Sequence, residues 1–183
     1  MSTSTASTRF AGSSRLLHWL MAVLILAMLF IGAGMAASAS PRYATLVSIH
    51  KPLGIAILIL VAIRLVNRLF NPPPPLPADM PAIQRFAAHA SHWVLYALMF
   101  LLPLIGWGML SAGGYPIVLF GPLQLPPILA QNATVYATLR QLHTILAYLL
   151  FATFLVHFAA ALFHGLIRRD GVLESMLPGR SGK

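Results

Sequence analysis

The stretch that decides the architecture is His143-Thr144-Ile145-Leu146-Ala147-Tyr148-Leu149-Leu150-Phe151-Ala152-Thr153-Phe154-Leu155-Val156-His157. It holds no charged residue, glycine or proline, so it reads as one uninterrupted apolar helix. Its two histidines are 14 positions apart. At about 100° per residue that is four turns less about 40°, so both imidazoles leave one face, with a rise near 21 Å between them. A bilayer core is about 30 Å thick. One helix therefore offers two nitrogen donors at two depths of a membrane.

The composition around this stretch agrees with a membrane setting. The chain has 183 residues, 58% of them hydrophobic, and only 8% are Asp, Glu, Lys or Arg. Soluble domains carry about 25% charged residues, so a water-soluble domain is excluded and one compact integral membrane domain remains. There is no cysteine, which removes disulfides, zinc-thiolate sites, iron–sulfur clusters and thiol nucleophiles. The three acids, Asp79, Asp170 and Glu174, all lie outside the apolar runs. Paired-carboxylate catalysis and carboxylate cages for hard metals go with them. The ionisable group left in quantity is histidine, in seven copies.

A spanning helix needs about 20 apolar residues. Four segments qualify, over 16–37, 46–70, 86–110 and 135–167, and the expected fold is an all-α integral membrane four-helix bundle. The run Asn71-Pro72-Pro73-Pro74-Pro75-Leu76-Pro77 cannot continue a helix and separates the second span from the third. Residues 111–132 contain four prolines and three glycines yet stay apolar, so they read as a loop folded over one end of the bundle. Arg9 and Arg15 before the first run and Ala37-Ser38-Ala39 after it have the outline of a signal peptide, but a run of this length opening on His18-Trp19 reads as a span.

Orientation follows from the basic residues. Arg9, Arg15, Arg64, Arg68, Arg85, Arg168, Arg169, Arg180 and Lys183 gather at one end, against Arg42, Lys51 and Arg140 at the other. Both termini are expected in the cytoplasm. The net charge of +9 then reflects topology and calls for no nucleic acid.

This orientation sorts the histidines into two layers. His50 and His143 belong to the outer layer; His18, His89, His92, His157 and His164 belong to the inner. Haem iron takes axial imidazoles, and two of them leave no open position, which suits electron transfer. The outer pair must be His50 with His143. In the inner layer His157 is one ligand, with His18 the first choice for the other and His92 the alternative. For His89, His92 and His164 ordinary hydrogen bonding at the interface is an equal explanation. Gly32, Gly34, Gly54, Gly106 and Gly108 could admit a flat macrocycle, and helix packing explains them equally well.

Arg15-Leu16-Leu17-His18-Trp19, Ile49-His50, Gly54 leading into Arg64-Leu65-Val66-Asn67-Arg68, His89-Ala90-Ser91-His92 and the fourth-helix histidines resemble the bacterial cytochrome b561 family from about Arg15 to Pro178. The likeness is to its superoxide-oxidising members. It implies two stacked b haems on His18, His50, His143 and His157, an inner-membrane location, oxidation of superoxide at the periplasmic face, and passage of the electrons to ubiquinone. The stretch Leu76-Pro77-Ala78-Asp79-Met80-Pro81 carries an acid and no lysine, a departure that removes any quinone contact made from a lysine there. The same ligand pattern occurs in cytochrome b anchor subunits that relay electrons between a peripheral dehydrogenase or hydrogenase and quinone, which is the alternative function.

Two sets of further residues are expected to serve this chemistry. Arg42, Lys51 and Arg140, unopposed by any outer acid, would steer a small anion such as superoxide, or else pair with haem propionates. Quinone reduction consumes protons, so its site is expected at the cytoplasmic end among His92, His164 and His89, with a hydroxyl from Ser13 or Ser14. The spacing makes a first prediction: the purified protein carries two b haems per chain, His143→Ala removes the outer one and His157→Ala the inner one. A pigment assay giving one haem per chain in the wild type contradicts it.

Overall fold

The computed structural model describes residues 9–38 and 40–177; Arg180 and Lys183, counted above with the inner basic residues, lie outside them. Four helices, each long and apolar enough to cross a membrane, account for most of the chain: α1 Gly12–Ala37, α2 Arg42–Phe70, α3 Ala82–Ala112 and α4 Ala133–Leu162, the last continued by a π-helical turn, Phe163–Arg168. The protein is an all-α membrane bundle. The helices begin two to four residues ahead of the apolar runs (12 against 16, 42 against 46, 82 against 86, 133 against 135), because backbone bonding is set by local start signals and not by hydropathy. Pro41 and Pro81 stand directly before α2 and α3, where a fixed φ and a missing N–H cost nothing. Asn132 caps α4, its Oδ1 accepting from the Val135 N–H at 3.0 Å, a device worth about 1 kcal/mol.

The packing is uneven. α1 lies closely along α2, and α3 along α4, while a lesser α2–α3 contact joins the two pairs; neither α1 nor α2 approaches α4 along an extended seam. Two small cores follow from this. Met21, Val61, Tyr96 and Met99 form one between α1, α2 and α3. Leu98, Leu102 and Leu150 form the other between α3 and α4. Much of the remaining apolar surface faces outward, as lipid permits. Gly34 shows how near α1 and α2 come, since a Cβ there would stand 3.1 Å from the Leu46 side chain.

The connection expected as a plain loop over 111–132 is shorter and contains a hairpin. α3 runs on to Ala112, and Ile117–Phe120 pairs antiparallel with Leu123–Leu125. The turn is Gly121-Pro122, with Gly121 at φ 53°, a conformation glycine adopts at no steric cost. Four consecutive apolar residues stopped by Gly-Pro are a strand signal; the count of prolines obscured it. The hairpin is anchored to the helices by polar contacts. Lys51 Nζ donates to the Pro116 carbonyl at 3.2 Å, and Trp107 Nε1 to the Pro126 carbonyl at 3.0 Å. Buried Ser111 donates to the Trp107 carbonyl and accepts from the Ile128 N–H at 3.1 Å.

At the opposite end the chain reverses after α4. The Arg169 N–H donates to the His164 carbonyl at 2.7 Å, a five-residue closure that ends the helix, with Arg169 and Gly171 at φ 52° and 82°. Residues 170–177 then return to α1. Trp19 Nε1 donates to the Met176 carbonyl at 2.8 Å and Arg15 to the Leu177 carbonyl at 3.0 Å.

Removing the Ser111 hydroxyl leaves the Ile128 N–H without its protein acceptor, at a cost of about 0.5–1.5 kcal/mol for the lost bond. Ser111→Ala should therefore raise the rate of proteolysis within residues 113–132 in detergent or nanodiscs. A cleavage rate equal to the wild type would show that the hydroxyl does not hold this segment.

Candidate functional site

The straight rod of α4 sets the depth of two imidazole pairs. His143 lies about three turns into the helix, and its ring centre is 6.2 Å from that of His50 on α2, with the planes 66° apart. His157, on the same face and deeper, lies 6.3 Å from His18 on α1 at 63°. These distances can be tested against a metal. An imidazole nitrogen binds a transition metal at about 2 Å, and roughly 1 Å more separates that nitrogen from its ring centre, so two axial rings should stand about 6 Å apart. Both pairs fit. His92 is also beside His157, but at 5.2 Å and 79°, too near for an ion between them. Its Nδ1 donates instead to the Ala88 carbonyl at 2.6 Å.

Three further observations fit a flat macrocycle at these pairs. The helices contributing each pair, α2 with α4 and α1 with α4, lack an extended seam of their own, so the rings meet where the helix backbones do not pack directly. The Nδ1 atoms of His50 and His143 are buried without a hydrogen-bond partner, although the Leu102 backbone stands near His143. Bare imidazoles in an apolar layer are costly. Finally, a Cβ at Gly106 would stand 3.4 Å from His143 Cε1, and one at Gly32 4.0 Å from His50 Cε1, so these glycines leave room around the outer pair.

The two ends differ in charge. At the hairpin end the charged residues are Arg42, exposed at the first turn of α2, Lys51, turned toward Pro116, and Arg140, exposed on α4 one turn before His143. All three acids are at the other end. Asp79 accepts from Arg168 Nη2 at 2.7 Å and Asp170 from Arg168 Nε at 3.2 Å. The Asp170 carboxyl is held below the usual range: burial alone would raise it, but hydrogen bonds from His164 and the Val172 N–H and the charge of Arg168 outweigh that.

The inner end also contains a cluster that composition had assigned to topology alone. Arg64 Nη2 stands 2.9 Å from His18 Nδ1, and the Arg64 and Arg68 guanidinium groups lie 5.4 and 5.8 Å from the centre of the Tyr96 ring, within cation–π range. Asn67 Nδ2 donates to Ser14 Oγ at 2.8 Å. Ser14, Arg64, Asn67, Arg68, Tyr96 and Met176 line a small cavity. Arg64 lies one helical turn before Arg68, a spacing that could have flagged a paired face, but charge counting treated both as membrane-end residues. The remaining inner histidines do not converge. His89 is exposed, and His164 Nδ1 bonds Asp170 Oδ2 at 2.7 Å; among the described residues no hydrogen bond or ring contact joins His164 to His92 or Ser14.

An all-α membrane bundle with imidazole pairs at two depths has the form of a transmembrane electron carrier. The model of prokaryotic cytochrome b561 matches residues 9–179, and the chain belongs to that family. It is similar to cytochrome b561 homolog 2 of Escherichia coli K12, 32% identical over 97% of this chain and 95% of that protein. It is also similar to a probable superoxide oxidase, CybB, of Yersinia pestis, 36% identical over 73% and 76%, and to E. coli cytochrome b561 homolog 1, 27% identical over 94% and 98%. The chain is thus a multi-pass inner-membrane protein of haem-b electron transfer, in a family that binds generally two haems.

The clearance at Gly106 generates a prediction. A branched side chain there forces the His143 ring out of position, so Gly106→Val should lower the haem content of the purified protein toward one per chain while the inner haem's spectrum persists. Full two-haem content in this variant would mean that Gly106 does not space the ring.

Proposed function

We propose that the protein oxidises superoxide at its outer face and reduces ubiquinone at its inner face. In this reading His50 with His143 and His18 with His157 hold the two b haems, which when bound supply one-electron relay across the membrane. His92 supports the inner site from beside His157, and the 6.3 Å against 5.2 Å separations favour His18 over it as ligand. The overall reaction balances as two superoxide anions, one ubiquinone and two protons going to two dioxygen molecules and one ubiquinol.

The observation that carries the reading is the separation of charge. Arg42, Lys51 and Arg140 surround the end bearing His50 and His143, and no acid opposes them. His50 and His143 together would hold the outer haem and leave no place for a substrate to coordinate, so the chain's task at this face is to bring an anion close. A one-signed field raises encounter rates of a small anion by roughly 10-fold or more at low salt. The name of the Yersinia relative supports the same substrate. Quinone belongs at the other end, within the membrane boundary, where His164 supplies the donor and protons can be drawn from the cytoplasm; His89 is exposed, and His92 and Ser14 are engaged with the Ala88 carbonyl and Asn67.

The test is reduction of the purified protein by a superoxide-generating system, with no other subunit present. Reduction near the diffusion limit is expected. In the Arg42→Gln/Lys51→Gln/Arg140→Gln variant the rate should fall several-fold and lose most of its salt dependence, since exposed charges are screened beyond about 8–10 Å at physiological ionic strength, while the haem spectra persist. Reduction only when a peripheral dehydrogenase is supplied would overturn the reading in favour of an anchor subunit, and an unchanged salt slope in the triple variant would remove the steering role.

A further inference from the structure

The chemistry of quinone reduction requires a proton donor that can be recharged, and the end of α4 contains one pair built for that. We propose that Asp170 is the positioning residue for His164, holding the imidazole by its Nδ1–H so that Nε2 exchanges protons with the quinone oxygen and with cytoplasmic water. This rests on the assignment of quinone reduction to the inner face.

The geometry behind it is specific to the way this helix ends. His164 is seven residues, about two turns, beyond His157 and about 10 Å deeper toward the inner boundary. The helix there widens into the π-helical turn Phe163–Arg168, a form that recurs at functional sites. The five-residue closure onto the His164 carbonyl and the left-handed Arg169 turn the chain back. Gly165 lets the returning segment lie close, since a Cβ there would displace the Leu173 side chain. Asp170 is thereby returned to a residue six positions earlier, with Nδ1 to Oδ2 at 2.7 Å and only 12% and 10% of the two side chains exposed. A non-glycine residue with positive φ is uncommon. Here it yields the one histidine–carboxylate pair among the described residues.

An ionised carboxylate only accepts hydrogen bonds, so the bond assigns the proton to His164 Nδ1 and leaves Nε2 as the exchanging atom. A second interaction keeps Asp170 ionised. Arg168 Nε stands 3.2 Å from the same oxygen, while its other nitrogens hold Asp79 and Gln84 across the gap to α3. The charged groups facing the imidazole are thus Asp170, then Arg168, with Asp79 behind it. In the proton step the Nε2–H bond breaks and an O–H bond forms on the quinone as an electron arrives; the ring stays on Asp170 through Nδ1–H and regains its Nε2 proton from cytoplasmic water. Two electrons and two such deliveries make one quinol. The arrangement follows the logic by which a buried carboxylate orients a histidine base.

The experiment measures superoxide-driven reduction of a short-chain ubiquinone by the two-haem protein, comparing His164→Ala, Asp170→Asn, Asp170→Glu and Asp79→Asn. Loss of a group that orients an imidazole typically costs 10–100-fold. Asp170→Asn should lower the maximal rate at least 10-fold with the quinone KM within twofold, and Asp170→Glu should recover much of it. Haem spectra and the rate of haem reduction should match the wild type throughout. Asp79→Asn, which breaks the neighbouring ion pair alone, should run within twofold of the wild type; if it is as slow as Asp170→Asn, the effect belongs to the Arg168 clamp and the inference falls. If His164→Ala is slow and Asp170→Asn is not, His164 works without Asp170 and the inference falls while the inner quinone site stands. Wild-type rates in both would overturn the quinone assignment itself.

Discussion

The bundle depends on two pairs of imidazoles that face each other across helices with almost no packing of their own. α4 lies along α3, and α1 along α2, yet each pair joins the first group to the second. In lipid the hydrophobic effect does not drive helices together, so association relies on close packing and on polar contacts. The direct cores here are small, with Met21 and Val61 the largest side chains fully enclosed among the described residues. A cofactor contributes its binding free energy to the folded state; under the proposed function that contribution would fall on the seam where packing is least.

The two ends of the molecule are built on opposite principles. At the hairpin end, polar side chains are spent on backbone: Lys51, Trp107 and Ser111 hold the 113–132 connection to the bundle, and the cations around His50 and His143 meet no acid. At the other end, charge is neutralised locally. Arg168 divides itself among Asp79, Gln84 and Asp170, and Arg64 lies between His18 and the Tyr96 ring. An unbalanced field suits an anion arriving from water; a compensated, hydrogen-bonded boundary suits an exchange of protons. This asymmetry is what supports the proposed function.

Much of this organisation was readable in one dimension. Four apolar runs, a proline block and the 14-residue separation of His143 and His157 are local or periodic features, and helix geometry converts them directly into spans and a shared face. The limits of that conversion are equally physical. The hairpin at Ile117–Phe120 hid in a proline-rich connection because its strand partner is recognised by pairing and not by composition. Arg64 was counted as a topological charge because its neighbours, His18 and Tyr96, are 46 and 32 positions away.

The sequence by itself therefore determined the spans, their number and the two depths at which α4 offers nitrogen, since each follows from the period of a single helix. Only the tertiary structure decided which imidazole stands at a metal-sized distance from His157, because His18 and His92 lie on different helices and their separations, 6.3 and 5.2 Å, depend on how α1 and α3 pack around α4. It also decided that Asp170 folds back onto His164, since that contact depends on a π-helical turn and one left-handed residue. Neither feature has a periodic signature, because both arise where the helix stops repeating.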